Sequence, residues 1–190
     1  MGTLRIVAGE LRGRRIRVLP GSRVRPTPDR VREALFDILG PGVSGCTVLD
    51  ACAGTGALGF EALSRGASSA TFVEADRRVL DLLRENAERM GIGSRCRMLC
   101  GRAEVLIAQG RVGGPFDLVL ADPPYADALG GPLLDALLSV PNTLSPGARV
   151  VLERESKSVA VAASRPGLSL LRTASYGRTS LDFYTLAASS

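Results

Sequence analysis

Histidine is absent from the 190-residue sequence, and lysine occurs only at Lys157 among 24 basic residues. Without histidine, the chain cannot form a Ser-His-Asp triad, a histidine general base or most kinds of zinc site. Its four cysteines (Cys46, Cys52, Cys96 and Cys100) lack CxxC spacing, so we expect free thiols and no metal. No segment approaches the roughly 18 unbroken apolar residues of a membrane helix, and nothing resembles a signal peptide. We therefore expect a soluble cytoplasmic protein that acts without a metal ion.

Acidic residues are scarce at one end of the chain. Residues 1–32 contain nine arginines and two acids, a balance of +7, whereas the whole chain carries +5, which leaves −2 for the remainder. A basic head on a near-neutral body is typical of a protein that binds a phosphate backbone, and guanidinium groups suit phosphate well. We predict phosphate contacts for Arg12, Arg14, Arg15 and Arg25. Genome-wide arginine bias and a solvated arm without a partner are the alternatives.

Strand-like and helix-like patterns alternate along most of the chain. This alternation predicts an α/β fold, with a mostly parallel sheet covered by helices on both faces and a closing hairpin at the C-terminal end. Near the start of the chain, two short stretches alternate polar and apolar residues, which predicts a further small hairpin. We interpret residues 1–190 as one domain, with residues 1–40 as a hairpin-and-helix appendage and 46–190 as the core.

The helix of this appendage has clear boundary signals. Thr27 is the predicted N-cap, Pro28 lies in the first turn, and Gly40 follows the end. The predicted buried face consists of Val31, Leu35, Ile38 and Leu39.

A glycine-rich turn follows the first strand of the core, in "LDACAGTGALG". Gly54, Gly56 and Gly59 match the GxGxxG fingerprint, and ligands of such sheets bind outside the carboxyl ends of the strands. Asp50, at the end of the strand, would repel a pyrophosphate and attract a cationic ligand. A turn that only lets the strand and helix pack closely is the alternative.

The next strand ends in a second acid, Glu74, 18 residues after Gly56. A carboxylate at this position can accept hydrogen bonds from both hydroxyls of a ribose. Asp76 fits the alternative role, that of a helix N-cap, better than Glu74 does. A nucleoside that carries an ammonium or sulfonium group, without a pyrophosphate, fits this arrangement. S-adenosylmethionine is the common cofactor of that description.

The motifs "DACAGTGALG", "FVEAD" and "LADPPY", in this order, resemble those of class I methyltransferases that act on exocyclic amino groups. The head "RIVAGELRGRRIRVLPGSRVRPTPDRVREALFDIL" further resembles the bacterial 16S rRNA (guanine(966)-N2)-methyltransferase D family, and the resemblance covers essentially the whole chain. It implies a Rossmann-like fold with a seven-stranded sheet, S-adenosylmethionine as cofactor, and methylation of guanine N2. It also implies 16S rRNA as partner, and naked RNA, an assembling small subunit and a mature subunit all remain open as the substrate. We expect a monomer.

The resemblance assigns the chemistry to the end of the strand "FDLVLAD". Asp122 and the Pro123 carbonyl are expected to accept hydrogen bonds from the target amine, and Tyr125 to stack on the base. The prolines fix φ and remove donors, so these acceptors stay rigid. A base inside a helix cannot reach such a site, which favours looped or single-stranded RNA. A turn that only caps the strand is the alternative.

Further cofactor contacts are predicted at Thr27, Arg32, Thr55 and Ala103. The family pattern usually has an aromatic residue at Cys52 and an acid where Arg102 and Ala103 stand, so we expect the Ala103 backbone to contact the adenine. Three other functions remain open. They are a DNA adenine-N6 methyltransferase, a non-catalytic RNA-binding protein with a methyltransferase-like body, and a nicotinamide-dependent oxidoreductase.

Overall fold

The computed structural model describes residues 2–19, 28–123, 130–158 and 165–187. The strands in these ranges are β1 (Gly2–Arg5), β2 (Arg15–Val18), β3 (Thr47–Asp50), β4 (Ser69–Glu74), β5 (Cys96–Cys100), β6 (Phe116–Ala121), β7 (Leu144–Glu155), β8 (Leu168–Tyr176) and β9 (Thr179–Leu186). The α-helices are α1 (Asp29–Leu39), α2 (Ala57–Ser64), α3 (Arg77–Met90), α4 (Ala103–Ala108) and α5 (Gly130–Ser139). Among them, none has the length and apolar character needed to cross a bilayer.

Seven strands form one sheet in the order β5-β4-β3-β6-β7-β9-β8. The neighbours from β5 to β7 are parallel, whereas β9 runs antiparallel to both β7 and β8. The mostly parallel seven-stranded sheet and the closing hairpin are therefore confirmed. The chain moves outward from β3 to β5 and then returns to place β6 on the other side of β3. This reversal creates a crevice at the carboxyl ends of β3 and β6, where ligands of open α/β sheets bind.

Helix α2 is buried along its entire length, including Glu61 and Ser64. Helices of this kind are covered on all sides rather than on one stripe. The sheet covers the inner side of α2, where the Phe60 ring contacts Phe72 of β4 in a tilted arrangement, with ring centroids 5.0 Å apart. Further cover comes from the predicted N-terminal hairpin, which is confirmed as the antiparallel pair β1–β2. Its Ile6 and Ile16 belong to the same apolar cluster as α2, so the hairpin packs against the core.

Helix α1 begins at Asp29, and its N-cap is Pro28. The prediction of Thr27 as N-cap is therefore wrong, and Thr27 itself lies outside the described residues. The Pro28 carbonyl accepts hydrogen bonds from the amides of Val31 and Arg32, at 2.9 and 3.0 Å, which makes Pro28 the first residue to join the helical hydrogen bonds. Gly40 ends the helix with a φ of 61°, as predicted. The buried residues are Val31, Arg32, Leu35, Phe36 and Leu39, and Ile38 is half-buried.

Candidate functional site

Three neighbouring strands of the sheet end in acids. Asp50 is the last residue of β3, Glu74 is the last residue of β4, and Asp122 directly follows β6. Asp50 lies opposite Phe72 of β4 and Leu120 of β6, so the carboxyl ends of all three strands lie at similar heights. The structure thus brings the three predicted acids to the same edge of the sheet, at the crevice.

The glycine turn between β3 and α2 is tied to the adjacent strand. Gly54 and Gly56 have φ angles of 51° and 76°, a conformation that favours glycine because it lacks a Cβ. The Gly54 amide donates to Oε2 of Glu74 at 2.8 Å, and Thr55 Oγ1 accepts a longer bond of 3.4 Å from the Ala57 amide. Gly59 has a packing role, because a Cβ there would lie 2.3 Å from the Phe72 ring. The glycines therefore hold both the turn and the helix close to β4.

Glu74 is half-buried and uses both carboxylate oxygens within the protein. Besides the bond from Gly54, its Oε1 accepts from the Asp76 amide at 2.8 Å. Because a carboxylate has about four acceptor positions, two remain for a ligand. Asp76 is the N-cap of α3 and accepts from the Arg78 amide, as expected. The ribose role of Glu74 stays a prediction that this geometry permits.

Asp50 is a buried acid with one unused oxygen. The residue is 1% exposed, its Oδ2 accepts from the Gly59 amide at 2.9 Å, and its Oδ1 has no hydrogen-bond partner in the described part of the chain. Burial raises the pKa of this carboxyl to about 7, with a smaller contribution from the Glu74 charge and an opposing one from the Gly59 bond. A cationic group beside Asp50 would favour the ionised form and compensate for the burial. The residues present thus fit a cofactor with a positively charged portion.

Several acids of the site affect the pKa of the Cys52 thiol. Its thiol pKa is raised by burial first, and then by the carboxylates of Asp50, Asp122, Glu74 and Glu104. Each of these groups therefore lies close enough to Cys52 for its charge to act there. A site lined by negative charge disfavours a pyrophosphate and favours a cationic ligand. Within the described ranges, no three Cys, Asp or Glu side chains are arranged to hold a metal ion.

Glu104 is the acid that the sequence analysis missed at this site. It lies in the first turn of α4, and its carboxylate accepts a hydrogen bond from Nε of Arg102 at 2.6 Å. Ala103, between them, is the first residue of α4 and is 5% exposed. The sequence signal for Glu104 was its place in the first helical turn after the third core strand. Its proximity to Cys52 depends on how α4 packs.

The other predicted site residues are Asp122, Pro123, Tyr125 and Arg32. Asp122 is half-buried and Pro123 is buried, whereas Tyr125 lies outside the described residues. Arg32 is fully buried, and its Nη2 donates to the Arg5 carbonyl at 2.6 Å and to Asp29 at 2.9 Å. These contacts place the Arg32 side chain between the hairpin and α1. Its effect on cofactor binding stays a prediction, exerted through the position of α1.

Three of the four predicted phosphate-binding arginines lie on the hairpin surface. Arg12, Arg14 and Arg15 are exposed, and none of the three forms an ion pair with another described residue. Arg5, by contrast, pairs with Asp29. Arg25 lies outside the described residues. Three guanidinium groups on β2 and the loop before it are therefore available to a phosphate-bearing partner.

A narrow cleft connects the hairpin with the glycine turn. It lies between the end of β2, the turn and α3, and it is lined in part by Arg17, Leu19, Gly54, Thr55, Leu83 and Asn86. Residues of the hairpin and of the candidate cofactor turn therefore line the same cleft.

Comparisons with known proteins agree with this geometry. The sequence model of the family described as Conserved hypothetical protein 95 matches residues 4–185. The Haemophilus influenzae protein named Ribosomal RNA small subunit methyltransferase D is 38% identical over 155 residues, which cover 81% of this chain and 80% of that protein.

Solved structures give the same picture of the fold. The putative methyltransferase yhhF of Escherichia coli superposes with a TM-score of 0.86 at 36% identity, covering 99% of this chain and 100% of that one. An RNA methyltransferase of Salinibacter ruber, solved with S-adenosyl-L-homocysteine, has a TM-score of 0.65 at 16% identity, covering 87% and 96% of the two chains. The latter likeness concerns the fold alone.

Proposed function

The chain belongs to the family of the ribosomal RNA small subunit methyltransferase D proteins, and on this premise we propose that it methylates ribosomal RNA with S-adenosylmethionine. The finer proposal is transfer to the exocyclic N2 amine of a guanine in the 16S rRNA of an assembling small subunit. The observation that carries it is the convergence of Asp50, Glu74 and Asp122 at the carboxyl ends of three adjacent strands. A negatively charged crevice suits a cofactor with a cationic portion, and it also presents an acceptor to an amine.

The proposed cofactor site is built around the glycine turn. Glu74 would accept the ribose hydroxyls with its remaining acceptor positions, and Asp50 would lie near the cationic portion. The Ala103 amide, at the start of α4, would contact the adenine, and Thr55 borders the turn. S-adenosylmethionine, when bound, supplies a methyl group activated by its sulfonium.

Asp122 and Pro123 are proposed to act on the target amine. The lone pair of an exocyclic amine is delocalised into the base ring, so the nitrogen is a weak nucleophile. Hydrogen bonds from the amine to the Asp122 carboxylate and the Pro123 carbonyl would draw this nitrogen toward tetrahedral geometry. The Asp122 charge also stabilises the positive charge that develops on the nitrogen. Tyr125 is proposed to stack on the base and keep it in line.

The direct test is methyl transfer from labelled S-adenosylmethionine to naked and protein-bound 16S rRNA. After digestion to nucleosides, the expected product is N2-methylguanosine. Label recovered as N6-methyladenine in a parallel assay with DNA as substrate would instead favour the DNA methyltransferase. Binding of a nicotinamide dinucleotide in preference to S-adenosylmethionine would contradict the proposal.

Replacement of Glu74 by Gln should weaken cofactor binding by roughly ten- to a hundredfold. Loss of charge-assisted hydrogen bonds removes about 1.5–3 kcal/mol, and an amide cannot accept with both of its ends. Calorimetry with S-adenosylhomocysteine measures the change. Asp76→Asn is the matched control, because it keeps the acceptor that caps α3 and should leave the affinity unchanged. Equal affinities for the two variants would exclude the ribose role.

Cofactor affinity should fall as the pH is lowered through about 7, the raised pKa of Asp50. Below that pH the carboxyl is neutral and no longer attracts a cation, so Kd rises by at most about tenfold per pH unit. Because the pKa of Asp50 is raised in the folded state from its ordinary value of 3.8 to about 7, the protonated acid favours folding, and this contribution to stability is lost as the pH rises from about 4 to about 7. Titrations between pH 5.5 and 8.5 measure the affinity, and Asp50→Asn should flatten the profile. An unchanged profile in Asp50→Asn would assign the pH dependence to another group.

A further inference from the structure

Glu153 is a buried acid that the proposed mechanism does not use. It is 4% exposed and lies near the carboxyl end of β7, two residues before the strand ends at Glu155. Strand β7 is the neighbour of β6 on the side away from β3. Because a carboxylate is costly to bury unless hydrogen-bond donors meet it, an acid at this depth is expected to accept from donors nearby.

The strand register places Glu153 beside Asp122. Strands β6 and β7 run parallel, and Ala121 of β6 lies opposite Leu152 of β7. The next residues along the two strands, Asp122 and Glu153, therefore occupy adjacent positions. Neighbouring strands are about 4.8 Å apart, so the two side chains are within reach of one small ligand group.

Asp122 and Glu153 also lie on the same face of the sheet. Leu120 and Val151, two residues before them, are paired with each other and belong to the apolar cluster that contains α2. Leu181 of β9, which lies opposite Glu153, belongs to the same cluster. Because residues two apart on a strand share a face, the two acids follow this cluster toward the edge of the sheet. A base whose amine reaches Asp122 therefore also comes next to Glu153.

The hydrogen-bonding edge of guanine matches such a pair of acceptors. This edge carries three N–H groups, two on N2 and one on N1, and enzymes that take a base out of its stack read it at this edge. The proposed mechanism gives the two N2 hydrogens to Asp122 and the Pro123 carbonyl. The adjacent N1–H then needs an acceptor of its own, and a carboxylate makes a strong, charge-assisted one. Adenine placed with its amine at Asp122 would instead present the lone pair of its N1, which a carboxylate repels.

We propose that Glu153 selects guanine by accepting a hydrogen bond from N1–H of the target base while the N2 amine lies at Asp122. The inference rests on the proposed RNA methylation and deepens it, because it names the residue that chooses the base. Glu153 already interacts within the protein. A carboxylate has about four acceptor positions, so it can serve that interaction and N1–H together. Its burial sharpens the choice, since an unmatched polar group costs most in surroundings of low dielectric constant.

The test compares guanine with 2-aminopurine at the methylated position of the rRNA. 2-Aminopurine keeps the exocyclic amine on C2, but its N1 carries a lone pair and no hydrogen. The methylated nucleotide is first mapped with the unsubstituted protein, and rRNAs with either base at that position are then assembled by ligation. The unsubstituted protein should have a kcat/KM roughly 10- to 100-fold higher on guanine, the effect of one charge-assisted hydrogen bond. Equal values would overturn the proposal without any variant.

Glu153→Gln separates the reading of N1 from every other difference between the two bases. The amide has nearly the same shape, and it can accept from N1–H of guanine or donate to N1 of 2-aminopurine. The kcat/KM on guanine should therefore fall roughly 10- to 100-fold, and the ratio of the two substrates should approach one. Because 2-aminopurine lacks O6 for both proteins, the change in this ratio reports N1 alone. A well-folded variant with an unchanged ratio would overturn the proposal.

Glu155→Gln is the matched control on the same strand and face. Glu155 lies two residues beyond Glu153 and pairs with Arg178 at 3.5 Å. This variant should keep the kcat/KM on guanine and the substrate ratio, and an equal change in both variants would assign the effect to β7 as a whole and overturn the proposal. Affinity for S-adenosylhomocysteine should stay within twofold in both, because β6 separates β7 from the strands that end in Asp50 and Glu74.

Glu153→Asp replaces Glu153→Gln if thermal unfolding shows that the glutamine variant does not fold. It keeps the charge but withdraws the carboxylate by one methylene, so the preference for guanine over 2-aminopurine should again fall. An unchanged preference would overturn the proposal, while formation of N2-methylguanosine by the unsubstituted protein would still support the proposed function. Absence of that product with the unsubstituted protein would overturn the proposed function itself.

Discussion

Asp122→Asn should lower the turnover of methyl transfer by about 10²- to 10³-fold, the range seen when one preorganised electrostatic contact is removed. The amide has nearly the same shape, but it carries no charge to stabilise the nitrogen as the methyl group arrives. Affinity for S-adenosylhomocysteine should change by less than threefold, because the amine and not the cofactor is the proposed partner of Asp122. Single-turnover assays with saturating rRNA, together with calorimetry, separate these two effects.

Asp117→Asn is the matched control on the same strand. Asp117 lies near the opposite end of β6, where its Oδ2 accepts from the Thr47 amide at 2.8 Å, a bond that an asparagine retains. Turnover of this variant should be normal. A well-folded Asp122→Asn protein with normal turnover would contradict the mechanism, and equal losses in both variants would indicate damage to the strand instead.

Replacing Arg12, Arg14 and Arg15 by glutamine in one variant should weaken rRNA binding by about two orders of magnitude at 0.15 M salt. Each lost phosphate contact reduces the slope of log affinity against log salt by about 0.7 to 0.9, so the slope should fall by roughly 2 to 3. Cofactor affinity should remain, because these side chains are exposed on the hairpin and none of them forms an ion pair with a described acid. RNA affinity across a salt series measures both quantities.

The control removes the same charge from another part of the surface. Lys157, Arg172 and Arg178 are exposed on or beside the edge strand β8, and their replacement by glutamine also lowers the net charge from +5 to +2. This variant should bind rRNA with a nearly unchanged salt slope. If the slope of log affinity against log salt falls equally in both triple variants, the net charge of the protein explains the binding. If neither does, the hairpin arginines are a solvated surface.

The sequence by itself determined the order of the strands and helices and the acids that end them. Asp50, Glu74 and Asp122 each follow an apolar run, and the alternation of strands with helices implies a parallel sheet whose carboxyl ends meet. These inferences depend on local patterns and on general rules of topology, so they needed no knowledge of packing. The signal for the basic head was equally local, because it is a count of arginines.

Only the tertiary structure decided what surrounds these residues. The raised pKa of Asp50 arises from burial, the grouping of Glu104 with the other acids depends on the packing of α4, and Arg32 meets the Arg5 carbonyl from 27 residues away. The sequence indicated that the hairpin is an appendage. In the structure, Glu61, Ser64 and Asn86 hold it against α2 and α3 through hydrogen bonds between residues that are 53 to 69 positions apart in the sequence. Such contacts join segments whose local patterns are independent of each other. Which residues meet in such contacts depends on three-dimensional packing, and no local periodicity of the sequence predicts it.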